Sequence, residues 1–279
     1  MICTIGIDLG ATNLRVARVE DGKILQSKSQ ATVKSSVPND LINQIKNLIN
    51  MVINNDVQNI GVGVPSVVDV AKGIVYEVQN ITSWKAVPLK SILEEKFKIP
   101  VFINNDANCY VLGEKYFGKG IGYDSIVGLV LGTGFGSGLV MNGKLVPGEN
   151  CGAGEIGMIP YKNSIFEHYC SGQFFEIHKK ITGIKAFKSA NKGDQNAIEM
   201  YKEFGSHLGN ALKVIMYTYD PALIILGGSI ISAYDLFEKS MYLAMNDFAY
   251  PKSLRKIKIT CTELDHVSVL GAATLYLDN

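Results

Sequence analysis

At 279 residues, with 27 Lys+Arg against 26 Asp+Glu and a formal charge of +1, the chain is long enough for two ordinary domains or one large one. It has no basic run of the kind that tracks a nucleic-acid backbone, which excludes nucleic acid and anionic membrane as expected partners. The five cysteines, Cys3, Cys109, Cys151, Cys170 and Cys261, are scattered and never in a CxxC pair, so a disulfide framework and a Cys-based zinc site are excluded and reduced thiols in a cytoplasmic protein are expected. The chain opens without a basic n-region and long h-region, and its apolar stretch 126–140 is broken by Gly and Thr and too short to span a bilayer; a soluble protein is expected.

In chain order, residues 5–19 read as strand, the turn Asp8-Leu9-Gly10-Ala11-Thr12-Asn13, and strand, then pass through Asp21-Gly22 into a third apolar segment from Lys23. The spacing of Leu41, Ile42, Ile45, Leu48, Ile49, Val52 and Ile53 predicts a helix over 40–53 with one buried stripe. A buried strand follows at 59–64, then a helix from Pro88 with Leu89, Ile92, Leu93 and Phe97 on one face. A strand at 99–103 is cut off by Asn104-Asn105-Asp106, giving the order βββαβαβ.

After a helix over 107–116, residues 126–140 repeat the opening pattern: strand, Gly132-Thr133-Gly134-Phe135-Gly136-Ser137-Gly138, strand, then Asn142-Gly143 into a third segment from Lys144. The irregular segment 147–170 is rich in Gly and carboxylates, as functional loops are. Helices at 172–182, 194–219 and 234–249 bracket a strand at 222–226, another strand covers 256–260, and a closing helix over 267–277 is expected to pack on the first lobe.

A tight Gly turn between apolar strands exposes backbone N–H groups without Cβ obstruction and makes a donor surface for phosphate oxygens. Either turn alone reads equally as an ordinary Gly-rich hairpin; the duplication, with Asp8, Thr12 and Thr133 in the turns, favours phosphate. Asn104-Asn105-Asp106 ends a buried strand where open α/β sheets place ligand sites. Asn105 offers a donor and an acceptor to a sugar hydroxyl, and Asp106 is placed to accept that hydroxyl's proton or, alternatively, to cap the helix. Glu155 after Gly152-Ala153-Gly154, and Glu167 ahead of Ser171-Gly172, suit vicinal hydroxyls or simply solvent. Gly227-Gly228 ends a strand where an adenine ring has bare backbone to lie on, and His168, His178, His207 and His266 lack metal-ligand spacing.

These residues resemble the ROK family of sugar kinases, within the actin, Hsp70 and hexokinase superfamily. The motifs span nearly the whole chain: IGIDLGATNLRVA near the start, GVGVPSVVD at 61–69, NNDAN at 104–108, LGTGFGSGLVMNG at 131–143, GAGEIG at 152–157 and DPALIILGG at 220–228. NNDAN with GAGEIG downstream is the specific part. The resemblance implies an α/β, two-lobed actin-like ATPase (ribonuclease H-like) fold with a duplicated βββαβα unit, the small lobe being 1–105 plus 266–279 and the large lobe 106–265. It implies Asp106 as catalytic base, and Asn80, Asn105, Asp106, Glu155 and Glu167 as sugar ligands. Asp8, Gly10, Ala11, Thr12, Asn13, Gly132, Thr133, Gly134, Gly227 and Gly228 would bind ATP, with Asp8 holding Mg²⁺ through water. The implied function is an ATP-dependent cytoplasmic hexose kinase, with glucose phosphorylated at O6 as the leading expectation and allose, mannose, fructose or N-acetylhexosamines as alternatives. A homodimer is implied as well.

Two departures stand out. Met158 replaces the histidine of the family's GEIGH, and the family's CxCGxxGC zinc loop is replaced by the short Tyr161-Lys162-Asn163-Ser164-Ile165-Phe166, so no structural zinc is expected. Ser66 stands where the family usually has Gly. The rivals are a sugar-responsive repressor, which carries an N-terminal helix-turn-helix for which a first strand at Ile2 leaves no room, and a sugar sensor that has lost catalysis.

Overall fold

In the computed structural model, which describes residues 2–78 and 81–278, the opening alternation folds into β1 (Thr4–Leu9), β2 (Asn13–Glu20) and β3 (Lys23–Ala31), an antiparallel meander. The strand period of two sends Ile5, Ile7, Leu9, Leu14 and Val16 to one face, where they pack with Leu41, Ile45 and Leu48 of α1 (Pro38–Asn50). β4 (Asn59–Val64) pairs parallel with β1 and is buried along its whole length. Three short strands, β5 (Val67–Asp69), β6 (Ile74–Tyr76) and β7 (Ala86–Val87), form a separate small sheet. α2 (Leu89–Phe97) leads to β8 (Val101–Asn105), which pairs parallel with β4 and runs directly into α3 (Asp106–Phe117). The strand thus continues through Asn104 and Asn105, two residues beyond the expected break, because both keep ladder partners in β4.

The second half repeats the layout with β9 (Ile126–Leu131), β10 (Phe135–Met141) and β11 (Lys144–Leu145). The supposedly irregular segment contains a 3₁₀ turn at Ile156–Met158, a hairpin of β12 (Pro160–Tyr161) and β13 (Ser164–Ile165), and α4 (Glu167–Cys170). The helix expected over 172–182 stops earlier, as α5 (Gln173–Lys179), where Lys180 turns left-handed at φ 56°. The sequence reading missed α6 (Gly183–Ala190); α7 (Gln195–Tyr219), β14 (Leu223–Gly227), α8 (Tyr234–Met245), α9 (Pro251–Leu254) and β15 (Lys258–Cys261) follow. The closing helix is α10 (Val267–Ala272), continued only by a 3₁₀ turn at Leu275–Leu277.

The main sheets run in the orders β3-β2-β1-β4-β8 and β11-β10-β9-β14-β15. In each, the first strand pairs in parallel with the strand after the meander, so the repeat seen in the turns extends to the topology. The chain divides into two compact units: unit 1 is Met1–Asp124, Gly138–Ala153 and Glu263–Asn279, and unit 2 is Ser125–Ser137 and Gly154–Thr262. Within unit 1, α10 packs on β1, β4 and α3 at backbone contact. A Cβ on Gly61 would stand 1.7 Å from the carbonyl oxygen of Ala272, and one on Gly271 would stand 1.7 Å from that of Cys109. Among the described residues no helix is long and apolar enough to cross a membrane.

Candidate active site

The predicted residues fall into two sets, one in each unit. In unit 1, Asp8 lies near the end of β1, opposite Arg15 on β2 and beside Gly63 on β4. Loss of water around Asp8 pushes its carboxyl up, and the Arg15 guanidinium pulls the other way. The following turn is tight: the N–H of Gly10 donates to the carbonyl of Asn13 at 2.9 Å. Thr32, which the sequence reading did not single out, anchors it by donating its hydroxyl to the carbonyl of Gly10 at 2.7 Å and its N–H to that of Thr12 at 2.9 Å. Thr12 and Asn13 are exposed at the tip, and Gly10 and Ala11 are half-buried.

The second part of this set is the corner between β8 and α3. Asn105 caps the helix, its Oδ1 accepting the N–H of Ala107 at 2.9 Å, so the cap belongs to Asn105 and Asp106 occupies the first helical turn. Asp106 Oδ1 also accepts the Ala107 N–H at 2.9 Å. Asn105 Nδ2 donates to the carbonyl of Ser66 at 3.4 Å, and the Ser66 hydroxyl is tied to the carbonyl of Tyr76. Ser66 therefore braces the corner against the small sheet. Asn80 lies outside the described residues.

In unit 2, Gly132-Thr133-Gly134 closes with a bond from Gly132 N–H to the Gly134 carbonyl at 3.0 Å, the counterpart of the Gly10 bond. The exit of this turn is held by Glu167, whose Oε2 accepts the N–H of Phe135 at 2.9 Å and whose Oε1 accepts the amide of Gln173 at 2.9 Å. Gly172 N–H donates to the Gly132 carbonyl at 2.7 Å. Each Glu167 oxygen keeps a second lone pair for a ligand hydroxyl. Glu155 is exposed, yet its carboxyl is pushed up, first by loss of water and then by the Glu167 charge, so the two carboxylates share one neighbourhood. Met158, three residues on, is 53% exposed.

A cavity of about 450 Å³ opens beside Gly132 and Thr133. It continues over Gly172 and Gln173, between Phe175 on α5 and Ile184, Phe187 and Lys188 on α6, to Ser229, Ile230, Ser232 and Ala233. This is an ordinary size for a small-molecule site. Gly228, at φ 86°, accommodates its turn only as glycine, since a Cβ would meet the Leu131 carbonyl oxygen at 2.3 Å; Gly227 is the buried last residue of β14. Neither glycine lines the cavity; the residues just after them do. The α6 wall is a two-turn helix, and the helical spacing of Ile184 with Phe187 and of Ala186 with Ala190 was the signal that could have revealed it.

Where the family's zinc loop would stand, the hairpin Pro160–Ile165 is packed by rings. Tyr161 stacks on Phe166 at 4.3 Å, meets Tyr169 edge-on at 5.3 Å, and bonds through its hydroxyl to His207 Nδ1 at 3.2 Å. Burial depresses His207 to about 4, and Lys162 adds to the effect. Among the described residues no group of three or more His, Cys, Asp or Glu is arranged to hold a metal.

The repeated sheets and paired Gly turns define an actin-like ATPase fold of the sugar-kinase type. The family model described as "ROK family" matches residues 4–279, and the chain belongs to the ROK family. It is 29% identical to the glucokinase of Thermotoga maritima over 97% of this chain and 96% of that one. It is 27% identical to the xylose repressor of Bacillus subtilis over 99% of this chain and 77% of that one. Among solved structures, a ROK family glucokinase from Streptomyces griseus in complex with glucose and AMPPNP superposes with a TM-score of 0.82 at 25% identity, covering 98% of both chains.

Proposed function

We propose that this protein is an ATP-dependent hexose kinase, acting as a cytoplasmic homodimer, with glucose as substrate and O6 as the attacking oxygen. The observation that carries this reading is the β8–α3 corner, where Asn105 takes the cap and Asp106 occupies the first turn of the helix. Asp106 accepts the sugar hydroxyl's proton as that oxygen bonds to the γ-phosphorus and the bond to the bridging oxygen of ADP breaks. Asn105, Glu155 and Glu167 hold the sugar hydroxyls, and Asn80 belongs to the same set by resemblance. Gly10, Ala11, Thr12 and Asn13, with Gly132, Thr133 and Gly134, hold phosphate oxygens.

Adenosine fits the 450 Å³ cavity of unit 2, where Phe187 and Ile184 offer apolar walls and Ser229 and Ser232 offer hydroxyls. Asp8 fits a divalent cation, since a carboxylate pushed up by burial is stabilised by a nearby positive charge. Mg²⁺ held there through water supplies charge neutralisation of the triphosphate. The likeness to the Thermotoga and Streptomyces glucokinases supports glucose.

A second reading, a sugar-binding regulator without catalysis, draws on the exposed Met158 and on the repressor relative. An ADP-release assay with Mg-ATP against glucose, mannose, allose, fructose and N-acetylhexosamines separates the two. Turnover on one sugar is expected, falling about 10²- to 10⁴-fold in Asp106→Asn with sugar affinity retained. Full activity in that variant removes Asp106 from its role, and sugar binding without any turnover establishes the regulator.

A further inference from the structure

Cys151 is 3% exposed and holds φ 58°, a left-handed conformation that strains a residue with a Cβ. Such strain in a buried side chain persists where its contacts over-determine it. The thiol donates to Asn104 Oδ1 at 3.2 Å, and the sulfur faces the backbone N–H groups of Asn105 and Val68. Asn104 Oδ1 is the hub: it also accepts the N–H of Asn105 at 2.8 Å and the amide of Asn108 at 2.9 Å. Burial pushes the thiol up and keeps it protonated, so it remains a donor. The loop that carries Cys151 closes on itself, Ala153 N–H bonding the Pro147 carbonyl at 3.2 Å. All of these groups lie in unit 1.

We propose that Cys151 is a positioning residue for phosphoryl transfer: its thiol locks Asn104, and through it fixes the orientation of Asn105 and Asp106. The inference rests on the kinase reading. The geometry is specific to a side chain that both donates and accepts at this depth. A glycine would adopt φ 58° without strain but would remove the thiol that packs against Asn104 Oδ1 and the Asn105 and Val68 N–H groups, leaving the corner free to shift by the few tenths of an ångström to which proton transfer is sensitive.

The test compares the full chain with Cys151→Gly and Cys151→Ser, measuring kcat, KM for sugar and for ATP, and the sugar Kd by calorimetry without nucleotide. Relief of strain and loss of buried volume oppose each other in the glycine variant, so melting temperature serves only to show that each variant is folded. Cys151→Gly is expected to lose about tenfold or more in kcat and to bind sugar more weakly, with KM for ATP unchanged. Cys151→Ser, whose hydroxyl also donates, is expected to recover most of both. Wild-type kcat and sugar Kd in the glycine variant overturn the proposal, as do equal losses in Gly and Ser variants. A wild-type protein that turns over no sugar overturns the kinase reading instead, while the sugar Kd series still decides whether Cys151 sets the orientation of Asn105.

Discussion

At the scale of single residues, His207 shows how a buried side chain sets the pH behaviour of the segment between the two candidate sugar carboxylates. It is 4% exposed, bonds Tyr161 and is held neutral, with its folded value near 4. A histidine depressed in the folded state takes up a proton more readily when unfolded, so stability is full above the ordinary histidine value near 6.5 and is lost as pH falls from there towards 4. The size expected from that difference is about 3 kcal/mol. Urea denaturation between neutral and acid pH should show this loss, and His207→Gln should flatten it. An unchanged pH slope in the variant would place the acid sensitivity elsewhere. Glu155, though exposed, shifts upward, first because loss of water around the carboxyl disfavours the charged form and then because of the Glu167 charge.

At the scale of elements, the closest approaches are those of α10 to its own unit. The Gly61 and Gly271 positions admit backbone oxygen at distances no Cβ tolerates, and these contacts set how α10 and α3 lie on β1 and β4. Gly61→Ala should therefore cost about 3 kcal/mol or more, at the top of the overpacking range, because the obstacle is a carbonyl and not a flexible side chain. Gly152→Ala meets nothing within 4 Å and should change stability by no more than about 0.5 kcal/mol. Equal melting temperatures for the two variants would refute the close-packing account. Gly61 was legible as a motif letter in GVGVP and Gly271 lay outside the motifs, yet the reason for neither was legible, since the partner oxygens belong to Ala272 and Cys109, about 210 and 160 positions away along the chain.

At the scale of the whole molecule, unit 1 is assembled from three separate stretches of chain, so its integrity depends on ties between distant positions. Asp278 makes such a tie: its carboxylate accepts the Tyr116 hydroxyl at 3.0 Å, the Leu145 N–H at 3.4 Å and the Lys115 ammonium at 3.5 Å. Asp278→Ala removes the acceptor of the Tyr116 hydroxyl and the Leu145 N–H and leaves Lys115 only the Tyr116 oxygen at 3.1 Å, in a side-chain environment that is 6% exposed on the acid and 14% on the lysine, and should cost about 1–3 kcal/mol. Asp278→Asn, which keeps an acceptor oxygen, should cost less. The check is denaturant unfolding of both variants, and an Ala variant as stable as the parent would show the tie to be idle.

Periodicity and turn chemistry alone determined the βββαβ succession, its repetition and the two Gly turns, because alternation of apolar residues and Gly or Asn at left-handed positions are local facts. The motifs likewise picked out Asp8, Asn105, Asp106, Glu155 and Glu167, residues whose chemistry is their own. Tertiary structure decided that Asn105 rather than Asp106 caps α3, that Glu167 grips the exit of the second turn, and that α6 walls the cavity. It also set the bonds of Thr32 to Gly10, of Asn105 to Ser66 and of Cys151 to Asn104. Apart from the Asn105 cap, which is a choice between neighbouring residues, each of these is a hydrogen bond or contact between residues far apart in the chain, and no pattern within one segment records which distant donor will meet which acceptor once the sheets have formed.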